Sequence, residues 1–283
     1  MSDLPTLEPV DYLAIGHVAH DITPEGYRLG GTAAYSALTA QALGLRVGIL
    51  TSHGPETSLE DLGDIPVHSL PSSQSTTFEN IYTKNGRIQY LRAQATRLDL
   101  SYIPEVWRSA SIIHLGPIAD EVDAILPDGL SPSLLGLTPQ GWMRQWDSEG
   151  RVSRREWPNA DAALARADAV VISREDVNGD DELIEHMAHQ ARLLVVTESA
   201  AGSVLYWNGD RRRFRAPVVT EVDATGAGDV FAAAFFYRLL NTRDPWEATR
   251  FATMLASCSV TRPGLEGIAS KGEVAVCLIQ VLP

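Results

Sequence analysis

The chain opens with a strand, a helix and a second strand in close succession, and that order limits the folds open to it. Asp11–Gly16 holds the apolar run Tyr-Leu-Ala-Ile, and a polar turn leads to Gly30-Gly31. A helix of small residues spans Thr32–Leu43, Gly44 stands at the position where glycine ends helices, and Arg46–Thr51 is apolar again. Two strands joined through a helix lie parallel in one sheet, so the expected class is α/β.

The same rhythm returns later, in short apolar runs at Ser111–Leu115, Leu134–Leu137, Ala169–Ile172 and Leu193–Thr197. The last third reads as three helices, Gly226–Leu240, Trp246–Thr261 and Lys271–Val281. Two stretches break the pattern. Thr76–Arg92 alternates around Lys84-Asn85-Gly86-Arg87, where Asn-Gly marks a tight hairpin. Gly202–Trp207 and Arg213–Ala216 form a second hairpin around Asn208-Gly209-Asp210. Neither an internal repeat nor a linker is evident. We therefore expect one domain over residues 1–283, with residues 76–92 as a flap over one end of the sheet.

The formal charge is −13 at pH 7, which argues against nucleic acid or an anionic membrane surface as partner. The apolar runs are too short to span a bilayer, and the first residues lack the basic and apolar regions of a signal peptide. A cytoplasmic protein is expected. Cys258 and Cys277 have no metal-ligand spacing and read as buried thiols.

The chemistry concentrates in Asp223-Ala-Thr-Gly-Ala-Gly-Asp229, which runs into an apolar helix. Glycines at 226 and 228 let an anion approach the unpaired N–H groups of the helix start. Asp229, in the first turn, faces the same place. Phosphoryl transfer needs that pairing: donors for the charge on the transferring group and a carboxylate for the hydroxyl proton. A dinucleotide turn would need glycine where Phe231 stands, and no Gly-Lys-Ser/Thr run offers a Walker loop. A plain glycine turn capped by aspartate is the bland alternative.

This segment resembles the C-terminal signature of the PfkB (ribokinase) family of carbohydrate kinases. Gly30-Gly31 with its small-residue helix, Val195-Val196-Thr197 with Gly202, and Val260-Thr261-Arg262-Pro263-Gly264 resemble that family's other signatures, in the same order. The resemblance implies a ribokinase-like three-layer α/β/α sandwich with a small β-hairpin lid, and a homodimer paired through the lid. It implies ATP and Mg²⁺ as donor system, with K⁺ as an accessory ion. Asp229 would be the catalytic base, and Gly226, Ala227 and Gly228 the anion hole. Asp223 and Thr225 would help hold the monovalent cation. Asp21, Gly30, Gly31 and Tyr35 would bind the substrate, and Thr197, Gly202 and Gly264 the nucleotide. Asp176 would act on Mg²⁺ through water.

Several positions depart from the family pattern. Tyr35 replaces an asparagine, Ser173 replaces the asparagine of Asn-x-x-Glu, Ser199 replaces a glycine and Thr138 an aspartate. Arg144 sits two residues beyond the usual arginine, and can be a charge-neutralising group or a surface residue beside Trp146. Gly16-x-x-x-His20-Asp21, the aromatic at 35 and Thr76-Thr77-Phe78-Glu79 resemble the plant myo-inositol kinase branch. The expected activity is therefore phosphorylation of a hydroxyl on a small sugar or cyclic polyol. Ribose, fructose, ketodeoxygluconate and nucleosides are the alternative acceptors, and a non-catalytic ligand-binding relative the alternative class.

Overall fold

The computed structural model describes residues 7–24, 26–83 and 86–279. In chain order the first elements are β1 (Tyr12–Ile15), β2 (Ala19–Thr23), β3 (Gly26–Gly30), α1 (Thr32–Ala42), β4 (Val47–His53), β5 (Val67–Pro71), β6 (Thr76–Thr83) and β7 (Gly86–Ala93). The middle of the chain supplies β8 (Ile112–Leu115), β9 (Leu134–Leu137), β10 (Arg144–Trp146), β11 (Val152–Arg154), α2 (Ala160–Arg166), β12 (Ala169–Ser173) and α3 (Asp181–Gln190). The rest is β13 (Leu193–Thr197), β14 (Ser203–Trp207), β15 (Asp210–Phe214), α4 (Ala227–Thr242), α5 (Pro245–Ser259) and α6 (Lys271–Ile279).

Nine strands form one sheet in the order β15-β14-β13-β12-β9-β8-β1-β4-β5. All its pairings are parallel except β13 with β14 and β14 with β15. The sheet is thus mixed, because the β14–β15 hairpin adds two antiparallel strands at one edge. The central strands are buried on both faces and read as unbroken apolar runs, which is what a parallel sheet covered on both sides requires. On one face Tyr12, Ala14, Ile49 and Val171 pack with Phe231, Phe235 and Phe236 of α4 and Phe251 of α5. On the other, Leu13, Ile15, Leu137 and Ile172 pack with Leu164 of α2 and Ile184 of α3. That gives the three layers.

The lid is larger than the hairpin expected over 76–92. It is a four-stranded sheet, β3-β2-β6-β7, to which the segment read as a polar turn after Gly16 contributes two strands. Asp21 pairs with Arg28 across β2–β3 and with Phe78 on β6. Lys84 and Asn85, at the expected tight turn, lie outside the described residues. The β14–β15 hairpin matches the sequence reading, although β15 begins at Asp210. Asn208 and Gly209 both have positive φ, 51° and 77°, as a two-residue turn of this kind needs.

Candidate active site

In open α/β sheets the loops after the carboxyl ends of the strands converge on one cleft. Here β1 ends before Gly16, β8 before Gly116, β9 before Thr138 and β12 at Ser173. The start of α4 reaches the same end of the sheet, and the lid stands over it.

The base candidate is held by that convergence. Asp229 lies in the first turn of α4, half-buried, while the helix behind it is sealed by Val230 and Phe231. Burial is the main cause that pushes its carboxyl up to about 6. The nearby charges of Asp176 and Asp21 add to the rise, while a hydrogen bond from the Thr32 hydroxyl and the Arg144 guanidinium oppose it. A carboxyl poised there is mostly ionised at neutral pH, yet basic enough to take a proton.

Gly226 caps α4 with φ 76°, and a side chain on it would collide with the Tyr35 ring at 2.2 Å. A side chain on Gly228 would meet nothing within 4 Å, so the first turn faces open space there. The Ala227 N–H is engaged with the Ala224 carbonyl at 3.2 Å. The first-turn amides of Gly228 and Asp229 have no backbone partner among the described residues and are donors available to an anion.

Tyr35 does not stand open to the cleft. It is 3% exposed, wedged beneath Gly226, and burial together with the charges of Asp21, Asp223 and Asp229 pushes its phenol well up. Its packing role explains why a ring occupies that position. Gly31, with φ 88°, would drive a side chain to 2.6 Å from the His17 carbonyl, so tight chain crossing demands glycine. A side chain on Gly30 would meet the Asp21 carboxylate at 2.5 Å, which places that carboxylate on the same lid face as Gly30.

Asp223 ties two segments together. Its Oδ1 accepts from the Thr225 N–H at 2.9 Å and its Oδ2 from the Gly264 N–H at 3.0 Å. The Val260 carbonyl accepts from the amides of Val222 and Asp223. Burial tends to raise the Asp223 carboxyl, but the bonds from Thr225 and Gly264 and the charge of Arg28 hold it below the usual range. Gly264 thus belongs to the wall around Asp223.

On the opposite side Thr197 and Ser173 line a cavity of about 570 Å³ with Arg174, Asn178, Glu198 and Ser199. Asp176 is fixed at both oxygens, Oδ1 by the Gln140 amide and Oδ2 by the Ser173 N–H, each at 2.8 Å. Each oxygen keeps a further lone pair, which suits a bond to metal-held water. Among the described residues no three His, Cys, Asp or Glu side chains come together to hold a metal directly. Gly202 is a packing glycine, since a side chain there would meet the Phe214 carbonyl at 2.0 Å.

Some site residues carry little sequence signal. Thr32 is merely the residue after Gly31. Arg144 has its guanidinium over the Phe78 ring at 5.5 Å and its Nη1 on the Ile118 carbonyl at 3.2 Å. Glu121 is fully buried in a ring of amides, accepting from His17 at 2.9 Å, Ile118 at 3.0 Å and Ala119 at 2.7 Å. It clamps the exit of β1 to the loop after β8. Tyr12, His114 and Thr138 form a second buried chain, with the Tyr12 hydroxyl 2.8 Å from His114 Nδ1 and the Thr138 hydroxyl 2.9 Å from Nε2. Burial pushes His114 down to about 3, so that imidazole is neutral.

The chain is similar to known proteins in sequence and in fold. Residues 157–271 match the pfkB family carbohydrate kinase. The cytidine kinase of Thermococcus kodakarensis is 29% identical over 250 residues, covering 80% of this chain and 87% of that protein. Two solved structures superpose closely. A pyrophosphate-dependent kinase in the ribokinase family, complexed with a pyrophosphate analog and myo-inositol, has a TM-score of 0.73 at 24% identity, covering 90% of this chain and 98% of that one. Arabidopsis thaliana ribokinase, complexed with ribose and ATP, has a TM-score of 0.73 at 17% identity, covering 96% and 100%. Residues 157–271 thus carry a PfkB family carbohydrate kinase domain, and the chain is a small-molecule kinase on the ribokinase-like α/β fold.

Proposed function

We propose that the protein transfers the terminal phosphoryl group of ATP to a hydroxyl of a neutral cyclic polyol of the myo-inositol type. The observation that carries the phosphoryl-transfer reading is Asp229 beside the open first turn of α4, its carboxyl at about 6. Asp229 takes the proton of the acceptor hydroxyl as the oxygen attacks. The amides of Gly228 and Asp229 and the positive end of α4 meet the charge on the phosphoryl group in flight. Arg144, within electrostatic reach of Asp229, offers a second positive charge to the same region. Asp176 would hold a magnesium ion through water, and the ion would supply charge neutralisation for the donor phosphates. The lid excludes bulk water from the transfer.

The acceptor class rests on the hydrogen-bonding groups above the base. Asp21 offers a carboxylate to hydroxyls. Asn80 lies two residues beyond Phe78 on β6, so strand alternation puts it on the Asp21 face of the lid. The Gln89 Nε2 donates to Asn80 Oδ1 at 2.9 Å, and the remaining amide groups of this pair are suited to a ring of hydroxyls. The fold relative that holds myo-inositol supports the same class. The Thr76–Glu79 motif supports it less, since the Thr76 hydroxyl is buried against His17 Nδ1 at 2.7 Å.

Initial rates with myo-inositol, ribose, fructose and cytidine, each offered with ATP and with pyrophosphate, test the reading. The highest kcat/KM is expected for myo-inositol with ATP. A furanose or nucleoside ahead by tenfold would overturn the polyol assignment, and pyrophosphate ahead of ATP the donor assignment.

A further inference from the structure

The chain passes between the main sheet and the lid four times, after β1, after β3, before β6 and after β7, and His17 meets all four passages. It lies in the first, fully buried. Its carbonyl faces the second, where a side chain on Gly31 would come within 2.6 Å of it. Its Nδ1 is 2.7 Å from the hydroxyl of Thr76, the first residue of β6, and its Nε2 is 2.8 Å from the Thr96 carbonyl beyond β7. Its own amide donates to the Glu121 carboxylate at 2.9 Å, which fastens the cluster to the loop after β8.

The hydrogens of this cluster have one arrangement. The Thr96 carbonyl can only accept, so Nε2 donates. The Ala95 amide donates to Thr76 Oγ1 at 3.0 Å, and among the described residues the Thr76 hydroxyl has no acceptor other than Nδ1. Nδ1 therefore accepts, and the bonds from Ala95 through Thr76 and His17 to Thr96 all run in one direction. Thr76 is fully buried too, so a partner lost there leaves a polar group unpaired. The cluster lies at the root of the acceptor side. Ala19 of β2 pairs with Thr76 of β6, and two residues further along both strands Asp21 pairs with Phe78. A tilt at that root is carried along β2 to the Asp21 carboxylate.

We propose that His17 is the positioning residue of the lid: by joining the four attachments it sets where β2 carries Asp21 above the cleft. This rests on the reading of Asp21 as a ligand of the acceptor. A histidine that served stability alone would alter the melting temperature and leave the folded enzyme's hold on its acceptor as it was.

Thr76→Val removes the hydroxyl and keeps the shape, and Thr76→Ser restores the hydroxyl. For Thr76→Val the acceptor KM is expected to rise about fivefold to thirtyfold, as loss of one buried hydrogen bond implies, with kcat and donor KM within about threefold of wild type. Hydrogen exchange at the amides of β2 and β6 should quicken by about tenfold or more while β1 and β8 stay unmoved. Thr76→Ser should remain within about threefold of wild type in both measurements. A folded Thr76→Val with wild-type acceptor KM would overturn the proposal, as would lid exchange that stays at the wild-type rate or rises equally in β1 and β8. Should the valine variant not fold, His17→Gln reads the same contact, since its amide can still donate to the Thr96 carbonyl but offers no acceptor at the Nδ1 position. An acceptor KM within about twofold of wild type in that variant would sink the proposal. Asp21→Ala run in parallel separates the readings. If it leaves the acceptor KM unchanged, the acceptor site is misassigned and the exchange measurement alone judges His17. If it raises KM beside a silent Thr76→Val, only the role of His17 falls.

Discussion

At the scale of single residues, one carboxylate carries two opposed demands. Asp229 is pushed up to about 6 chiefly by burial, so the folded state disfavours its charge, whereas the proposed role as base requires it. Asp229→Asn should lower kcat by about 10²–10⁴-fold, the range a positioned base contributes, while donor binding persists. In the wild type, kcat/KM should fall below pH 6 as the base protonates. The stability consequence has the opposite sign. The folded carboxyl is raised above its unfolded value, so its favourable contribution is present below about pH 4 and lost as pH rises through about 6. Asp229→Asn should therefore be more stable than wild type at pH 7.5, by roughly 1–3 kcal/mol, with the difference vanishing near pH 4. Denaturation curves at the two pH values decide it, and a variant less stable at pH 7.5 would contradict the burial argument. Asp229 was legible in the sequence because a glycine-flanked helix start announces itself. Glu121 was not, since its partners are backbone amides of His17, Ile118 and Ala119, and an amide leaves no trace of residue type.

At the scale of elements, the start of α4 combines two glycines with different tasks. Gly226 needs its positive φ and its contact with the Tyr35 ring, whereas Gly228 has empty space before it. Gly226→Ala should cost stability, on the order of 1–3 kcal/mol from backbone strain alone. Gly228→Ala should leave the melting temperature nearly unchanged and depress kcat, because its methyl would enter the proposed path of the phosphoryl group. Equal effects of the two on melting temperature would refute the division. The neighbouring Asp223–Gly264 tie motivates a proposal of monovalent-cation activation. The Asp223 carboxylate, bonded by the Gly264 amide, and the Val260 carbonyl, bonded by the Val222 and Asp223 amides, lie just before the proposed anion hole. In buffer free of both ions, K⁺ should raise kcat more than Na⁺, with little change in acceptor KM. A flat response to K⁺ rejects the site. The lid shows where element prediction from sequence fails. Thr76–Arg92 alternates cleanly and was readable, but β2 and β3, which pair Asp21 with Arg28, carry no such alternation. Strands that serve a polar cleft lose the alternation by which strands are recognised.

At the scale of the whole molecule, the α/β class and most of the central strands followed from short apolar runs, because strands buried on both faces have no other composition available. The order of the nine strands did not follow, since β9 and β12 are neighbours through contacts no local pattern encodes. Nor does any local pattern reveal the net charge of −13, which acts on the whole approach path of a substrate. A donor polyphosphate is anionic and is repelled at long range by such a protein, while a neutral polyol is not. Salt screens that repulsion beyond about 10 Å at 0.1 M but leaves the close contacts at the start of α4 nearly intact. Raising ionic strength from about 10 to 150 mM should thus increase donor kcat/KM by roughly two- to fivefold and leave acceptor kcat/KM flat. Choline chloride at constant K⁺ supplies the screening without touching the Asp223 site. A donor kcat/KM that falls with salt would mean that local cations such as Arg144 project a steering field into solvent against the net charge. An acceptor kcat/KM that moves with salt would mean a charged acceptor and would remove the neutral polyol from consideration.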